Sequence, residues 1–176
     1  MSYDCAKCAE CEAHTLLEEN GIDISRHCND SMTALIIVCS LYQLENLALS
    51  ILEIPGIDYN HVDITNNTAL IYACSNNLEN VALKLLEFDD INHSHKNNLG
   101  YTSLTLACKN KMEKVALKLL EKEDLYINKI DFYGYSALIY ACKNKMKKVA
   151  LKLLDKEYIN YNDITMYPET IYDLIF

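Results

Sequence analysis

Long apolar runs are what this chain most clearly lacks: none exceeds six residues, the length of Ala34 to Cys39. A membrane-spanning helix needs about 20, so none is expected here. Tryptophan is absent, proline occurs twice and glycine four times, and no glycine-rich phosphate-cradling loop stands among them. A basic excess is missing too. The formal net charge is −9, which argues against nonspecific nucleic-acid binding, because that binding is driven by neutralising phosphates with Lys and Arg. The first residues, Met1-Ser2-Tyr3-Asp4, form neither the basic start nor the apolar core of a secretory signal. With eight cysteines in the chain, this points to a reducing compartment, and the cytoplasm is the expected location.

What the chain does have is repetition. Thr33-Ala34-Leu35-Ile36 returns as Thr68-Ala69-Leu70-Ile71, as Thr102-Ser103-Leu104-Thr105 and as Ser136-Ala137-Leu138-Ile139, at steps of 35, 34 and 34 residues. A second block keeps the same beat, from Leu47 to Leu52, Val81 to Leu86, Val115 to Leu120 and Val149 to Leu154. Such a period marks stacked supersecondary units that bury their apolar faces on one another. In the unit from Asn97 to Asn128, Gly100 suits a turn and Thr102 is placed to cap a helix over Ser103 to about Lys109. Met112, Val115, Ala116, Leu119 and Leu120 then form one helical stripe, so a second helix is expected from about Glu113.

The pattern resembles the ankyrin repeat. The family's D-x-x-G-x-T-P-L-H-x-A-A signature appears in Asp131-Phe132-Tyr133-Gly134-Tyr135-Ser136-Ala137-Leu138-Ile139-Tyr140-Ala141-Cys142, and more weakly from Asp63 to Cys74. The resemblance implies an all-α solenoid of antiparallel helix pairs joined by hairpin-like loops. Its expected division is a single domain over 1–176: a partial repeat at 1–27, four full repeats at 28–62, 63–96, 97–130 and 131–164, and a partial cap at 165–176. Ala34, Ala69, Ser103 and Ala137 replace the family's proline, and Ile36, Ile71, Thr105 and Ile139 its histidine. The family's Thr–His hydrogen-bond network is therefore expected to be missing, with apolar packing taking its place. These variant repeats, and a bias to Asn, Ile, Lys and Tyr, resemble ankyrin proteins of giant amoeba-infecting viruses, which would place the chain in a host-cell cytoplasm.

Candidate chemistry is sparse. Cys5, Cys39, Cys74, Cys108 and Cys142 share one repeat position and are expected to be small core residues, too far apart for disulfides. Cys8, Cys11, His14 and Cys28 offer a weak zinc-like spacing, but a structural site normally joins two paired arms, so ordinary thiols and no cofactor are expected. His93-Ser94-His95 reads as a solvated loop. No nucleophile–base pair or carboxylate dyad stands outside the repeat pattern, so no enzyme activity is expected. The lysines at 109, 111, 114, 118, 143, 145, 147, 148 and 152 read as a solvated face, with an acidic-partner or nucleic-acid patch as the alternative. Leu49, Leu83, Leu117 and Leu151 stand one residue off the apolar stripe, either packed between helices or exposed as a ridge for homo-oligomers. A zinc-stabilised adaptor is the remaining alternative.

Ankyrin-like stacks bind protein partners on hairpin tips and the exposed side of the first helices. Carried onto this sequence, those positions are Asn67, Ser75, Asn76, Leu99, Tyr101, Lys109, Phe132, Tyr133, Tyr135, Lys143 and Tyr167. The expected function is noncatalytic binding of a protein through this face.

Overall fold

The computed structural model describes residues 32–160. They contain eight helices: α1 (Ala34–Ser40), α2 (Glu45–Leu52), α3 (Ala69–Ser75), α4 (Glu79–Leu85), α5 (Ser103–Lys109), α6 (Glu113–Leu119), α7 (Ala137–Lys143) and α8 (Lys147–Leu154). Among the described residues there is no strand, only isolated antiparallel bridges pairing Lys96 with Thr102 and Ile130 with Ser136. The expected all-α fold of helix pairs is what forms. Contacts divide the chain into two compact units, the first ending at Ile91 and the second beginning at Asn92.

Every first helix of a pair starts the same way. Thr33, Thr68, Thr102 and Ser136 sit in extended backbone, and each hydroxyl accepts from the N–H three residues on. The capping bond satisfies one of the four donors that a helix start leaves open. In α5 the bond is reciprocal, because Thr105 Oγ1 accepts from Thr102 N at 2.8 Å. Ile36, Ile71 and Ile139 at the matching positions are buried. So the capping bond forms without a histidine at this position, where three of the four repeats bury isoleucine instead.

In the first unit α1 packs on α2 and α3, and α4 on α2 and α3; in the second, α7 packs on α5 and α8, with α6 against α5 and α8. The cores are Leu, Ile and Val around the small residues Ala48, Ala82, Ala116 and Ala150. Side chains then tie one repeat to the next. Asn76 Nδ2 donates to the carbonyls of Cys39 and Ser40 at 2.9 and 3.0 Å. Asn144 does the same to Cys108 and Lys109. These carbonyls lie in the last turn of α1 and α5, where no intrahelical donor remains. Loops are tied likewise, by Asn60 Nδ2 to Asp90 O in the first unit and by Ser94 Oγ to Asp124 O and Asn128 Nδ2 to Tyr158 O in the second.

The corner between paired helices turns on a left-handed residue, Asn77, Lys111 or Lys145, at φ 59, 60 and 58°. The hairpin tips use Gly100 and Gly134, while Asn66 fills the same place at φ 63°. At Gly100 a Cβ would stand 2.8 Å from Ile130 O, so only glycine fits there.

Cys39, Cys74, Cys108 and Cys142 are buried and form no disulfide, as the repeat position implies. Burial pushes the Cys74 thiol up to about 12 and Cys142 to about 11, and raises Cys39 further. Only thiolate is reactive. Thiol labelling of the native protein at pH 8 should therefore leave these four unmodified until the chain unfolds. Rapid native labelling of Cys39 or Cys74 would contradict the burial.

One buried group is orphaned. Ser103 Oγ is inaccessible and has no hydrogen-bond partner, at a position where the other repeats carry Ala34, Ala69 and Ala137. An unsatisfied buried hydroxyl costs about 1–3 kcal/mol. Ser103→Ala should stabilise the fold by about 1 kcal/mol or more, read as a higher urea midpoint at unchanged m-value. A lower midpoint would show that the hydroxyl has a partner.

Candidate functional site

The hairpin tips are built on an acid or amide that organises its own turn. Asp131 Oδ1 accepts from the N–H groups of Tyr133 and Tyr135, both at 2.9 Å. Asn97 Oδ1 serves Leu99 and Tyr101 in the same way, and Asp63 Oδ1 serves Thr65 and Asn67. This is the Asx turn, in which a side chain imitates a backbone carbonyl. At two of the three tips the second carboxylate oxygen is used as well. Tyr72 donates its hydroxyl to Asp63 Oδ2 at 2.7 Å, and Tyr140 to Asp131 Oδ2 at 2.5 Å. Sequence inspection missed these Asp–Tyr pairs, although Asp63/Tyr72 and Asp131/Tyr140 share one spacing that could have revealed them. At the middle tip Leu106 takes the tyrosine position, and the acid is correspondingly the neutral Asn97.

On the second unit, the residues expected to meet a partner divide sharply. Phe132 is 81% exposed, Tyr133 68% and Leu99 57%. Phe132 and Tyr133 meet edge to face at 5.9 Å and 85°, and Phe132 N donates to Leu99 O at 2.9 Å, joining adjacent tips. Tyr101 is only 7% exposed and offers a partner little area. Tyr135 is half-buried and lies edge-on to Tyr140 at 5.5 Å. The two lysines cover these inner rings: Lys109 Nζ stands 4.5 Å from the Tyr101 centroid and donates to its hydroxyl, and Lys143 Nζ stands 4.3 Å from Tyr135. Each exposed cation–π contact stabilises by about 0.5–1 kcal/mol. The result is two Lys–Tyr rungs, one on each of two successive repeats, beside an exposed aromatic edge.

In the first unit, Asn76 was expected to face a partner, but its amide is committed to the α1 carbonyls, so it is a tie between repeats. Asn67 is half-buried and donates to Thr65 Oγ1. Ser75 is exposed. Tyr167, and the candidate zinc residues Cys8, Cys11, His14 and Cys28, lie outside the described residues. Among the described residues, no three His, Cys, Asp or Glu side chains gather as a metal site, and no helix is long and apolar enough to cross a membrane.

The nine lysines differ in what they meet. Lys118 and Lys152 reach Glu121 at 3.5 and 3.9 Å, and Lys148 reaches Glu113 at 3.8 Å. Lys109 and Lys143 sit over tyrosines instead. The leucine column is not an exposed ridge. Leu49, Leu83 and Leu117 are half-buried, and only Leu151 is substantially open, at 46%.

Residues 83–165 match the family model described as ankyrin repeats (3 copies). The match supports the ankyrin repeat family. Its stretch takes in the Lys–Tyr rungs and the tips that carry Leu99, Phe132 and Tyr133. Ankyrin repeats are in general protein–protein interaction modules and noncatalytic scaffolds. No curated protein matches the chain.

The Asp–Tyr pairs give the stack a pH signature. Burial would raise the Asp63 carboxyl, but the Asn67 N–H, the Tyr72 hydroxyl and Thr65 together hold it below its ordinary value. A depressed acid stabilises the fold above its unfolded value of about 3.9, and that contribution is lost as pH falls through the lower folded value. Burial, then the bond to the acid, raises Tyr72 and Tyr140. Their contribution is complete below the unfolded value of about 10 and is lost as pH climbs towards the raised folded values. The melting temperature should thus fall below about pH 4 and again above about pH 10. Tyr140→Phe should flatten the alkaline limb and leave the acid limb in place. An alkaline limb that does not move in this variant would refute the assignment.

Proposed function

We propose that this chain is a noncatalytic protein-binding module, and that a partner lands on the second unit at the edge formed by Leu99, Phe132 and Tyr133, flanked by the Lys109–Tyr101 and Lys143–Tyr135 rungs. The observation that carries the reading is the exposure of Phe132 and Tyr133 on a turn that is itself tightly held. Exposed aromatic area at a turn gains nothing from water. Its backbone, however, is fixed by Asp131, so a partner need not meet the entropy of ordering the loop. Aromatic side chains also bring large contact area with few rotors, which is why they dominate interface hot spots.

The reading includes the whole chain as one ankyrin-repeat domain, divided into repeats as set out above, acting in the cytoplasm (that of a host cell if the viral resemblance is right). Half-burial of three of the four column leucines speaks for the binder over a leucine-mediated homo-oligomer.

Selection of a random displayed-peptide library on the full chain tests the reading. Selected binders should lose about tenfold or more in affinity, roughly 1.4 kcal/mol, for the Phe132→Ala/Tyr133→Ala variant. Its melting temperature should stay near that of the parent, because both rings are exposed. Binders indifferent to the pair would place recognition elsewhere.

A further inference from the structure

Charge is segregated along this chain in a way that an ordinary solvated surface does not require. Residues 32–91 carry eight acidic side chains and one lysine, whereas residues 92–160 carry thirteen lysines and seven acids. Within the second unit the lysines gather at two successive helix–helix corners, 109–114 and 143–148, where the only acid is Glu113. The tie from Asn144 to Cys108 O and Lys109 O sets these corners side by side.

The second corner goes against local electrostatics. α2, α4 and α6 each begin with a glutamate, Glu45, Glu79 and Glu113, where the positive end of the helix dipole favours an acid. α8 begins with Lys147 and Lys148 and has no acid in its first turn. Lys145, just before, is held in the left-handed region, which L side chains rarely adopt. Lys148 has Glu113 for a counter-charge. Among the described residues, Lys143, Lys145 and Lys147 have no carboxylate within ion-pair distance. Lys147 and Lys148 thus stand where the fold would be better served by an acid, and Lys143, in the last turn of α7, adds a third cation beside them. Lys143 also links the corner to the aromatic edge through its contact with Tyr135.

We propose that the partner of this face is a short acidic protein segment, its carboxylates on Lys143, Lys145 and Lys147 and its apolar side chains on Phe132 and Tyr133. This rests on the binding face proposed above and adds the chemistry of what occupies it. A protein segment fits better than a nucleic acid for two reasons. Phe132 and Tyr133 stand nearly perpendicular, which presents an edge and not the successive parallel faces that a run of bases stacks on. The chain is also net −9, which opposes a long polyanion but hardly affects a short one, since exposed charges more than about 10 Å away are screened at 0.1 M salt.

The test is fluorescence anisotropy on the full chain, at low and at 0.3 M salt, with three labelled probes: a twelve-residue peptide alternating Glu and Leu, its Gln–Leu counterpart, and a single-stranded RNA of equal charge. The acidic peptide should bind at least tenfold tighter than either of the others and weaken with salt. Lys143→Glu/Lys147→Glu should reduce its binding tenfold or more, and Phe132→Ala/Tyr133→Ala severalfold. Lys147→Glu alone should weaken binding yet raise the melting temperature, a combination that a purely structural lysine would not give. Equal binding of the Gln–Leu peptide, tighter binding of RNA, indifference to charge reversal, or no binding of the acidic peptide at low salt would each overturn the proposal. So would a solution mass that rises with concentration and is lost in Lys143→Glu/Lys147→Glu, which would assign the lysines to a second copy. If display-selected binders still depend on Phe132 and Tyr133 while the acidic peptide fails, the binding face stands and only its acidic occupant falls.

Discussion

None of the helices described here could persist alone. Each has seven or eight residues, well short of the roughly 12–15 that an isolated helix needs to be even marginally stable in water. Burial on the next repeat therefore has to supply what propensity cannot, and most other features of the structure follow from that requirement. The first helix of each pair is mostly apolar because it is covered, and the second keeps an apolar stripe against it. Helix ends fall inside the stack, so each donor or carbonyl left open there must find a partner. That accounts for the threonine and serine caps at one end and the asparagine amides of Asn76 and Asn144 at the other.

The same demand shapes the hairpin tips. A turn that protrudes from a stack has little core of its own. Asp63, Asn97 and Asp131 compensate by accepting two backbone N–H groups each, and Tyr72 and Tyr140 lock two of the acids from behind. With the backbone fixed from within, the outward side chains are released from structural duty. Phe132 and Tyr133 can then vary to suit a partner, while Tyr135 and Tyr101 remain part of the support. Rigid scaffolds with variable tips are where binding residues are generally found.

Much of this was legible from sequence. The 34-residue beat located all four helix pairs, and the register of α5 and α6 followed from Thr102, Gly100 and the Met112–Leu120 stripe. Buried cysteines followed from their shared repeat position. Exposure was less legible, because the repeat register says which position a residue holds but not whether a neighbour covers it. Tyr101 and Tyr135 hold equivalent positions one repeat apart, yet Tyr101 is buried and Tyr135 half-buried. Asn76 matched a binding position of the ankyrin pattern, and its amide instead ties it to the preceding repeat.

Sequence alone therefore determined periodicity, helix limits, caps and the apolar stripe, since each depends on residues no more than about one helical turn or one repeat apart. Tertiary structure decided the rest. It alone brought Lys152 to Glu121 from the next repeat while placing Lys109 and Lys143 over tyrosine rings. It also joined Tyr140 to Asp131, orphaned Ser103 and left Phe132 open beside a buried Tyr101. These outcomes depend on distances between side chains from different turns and repeats, set by how the stacked elements pack.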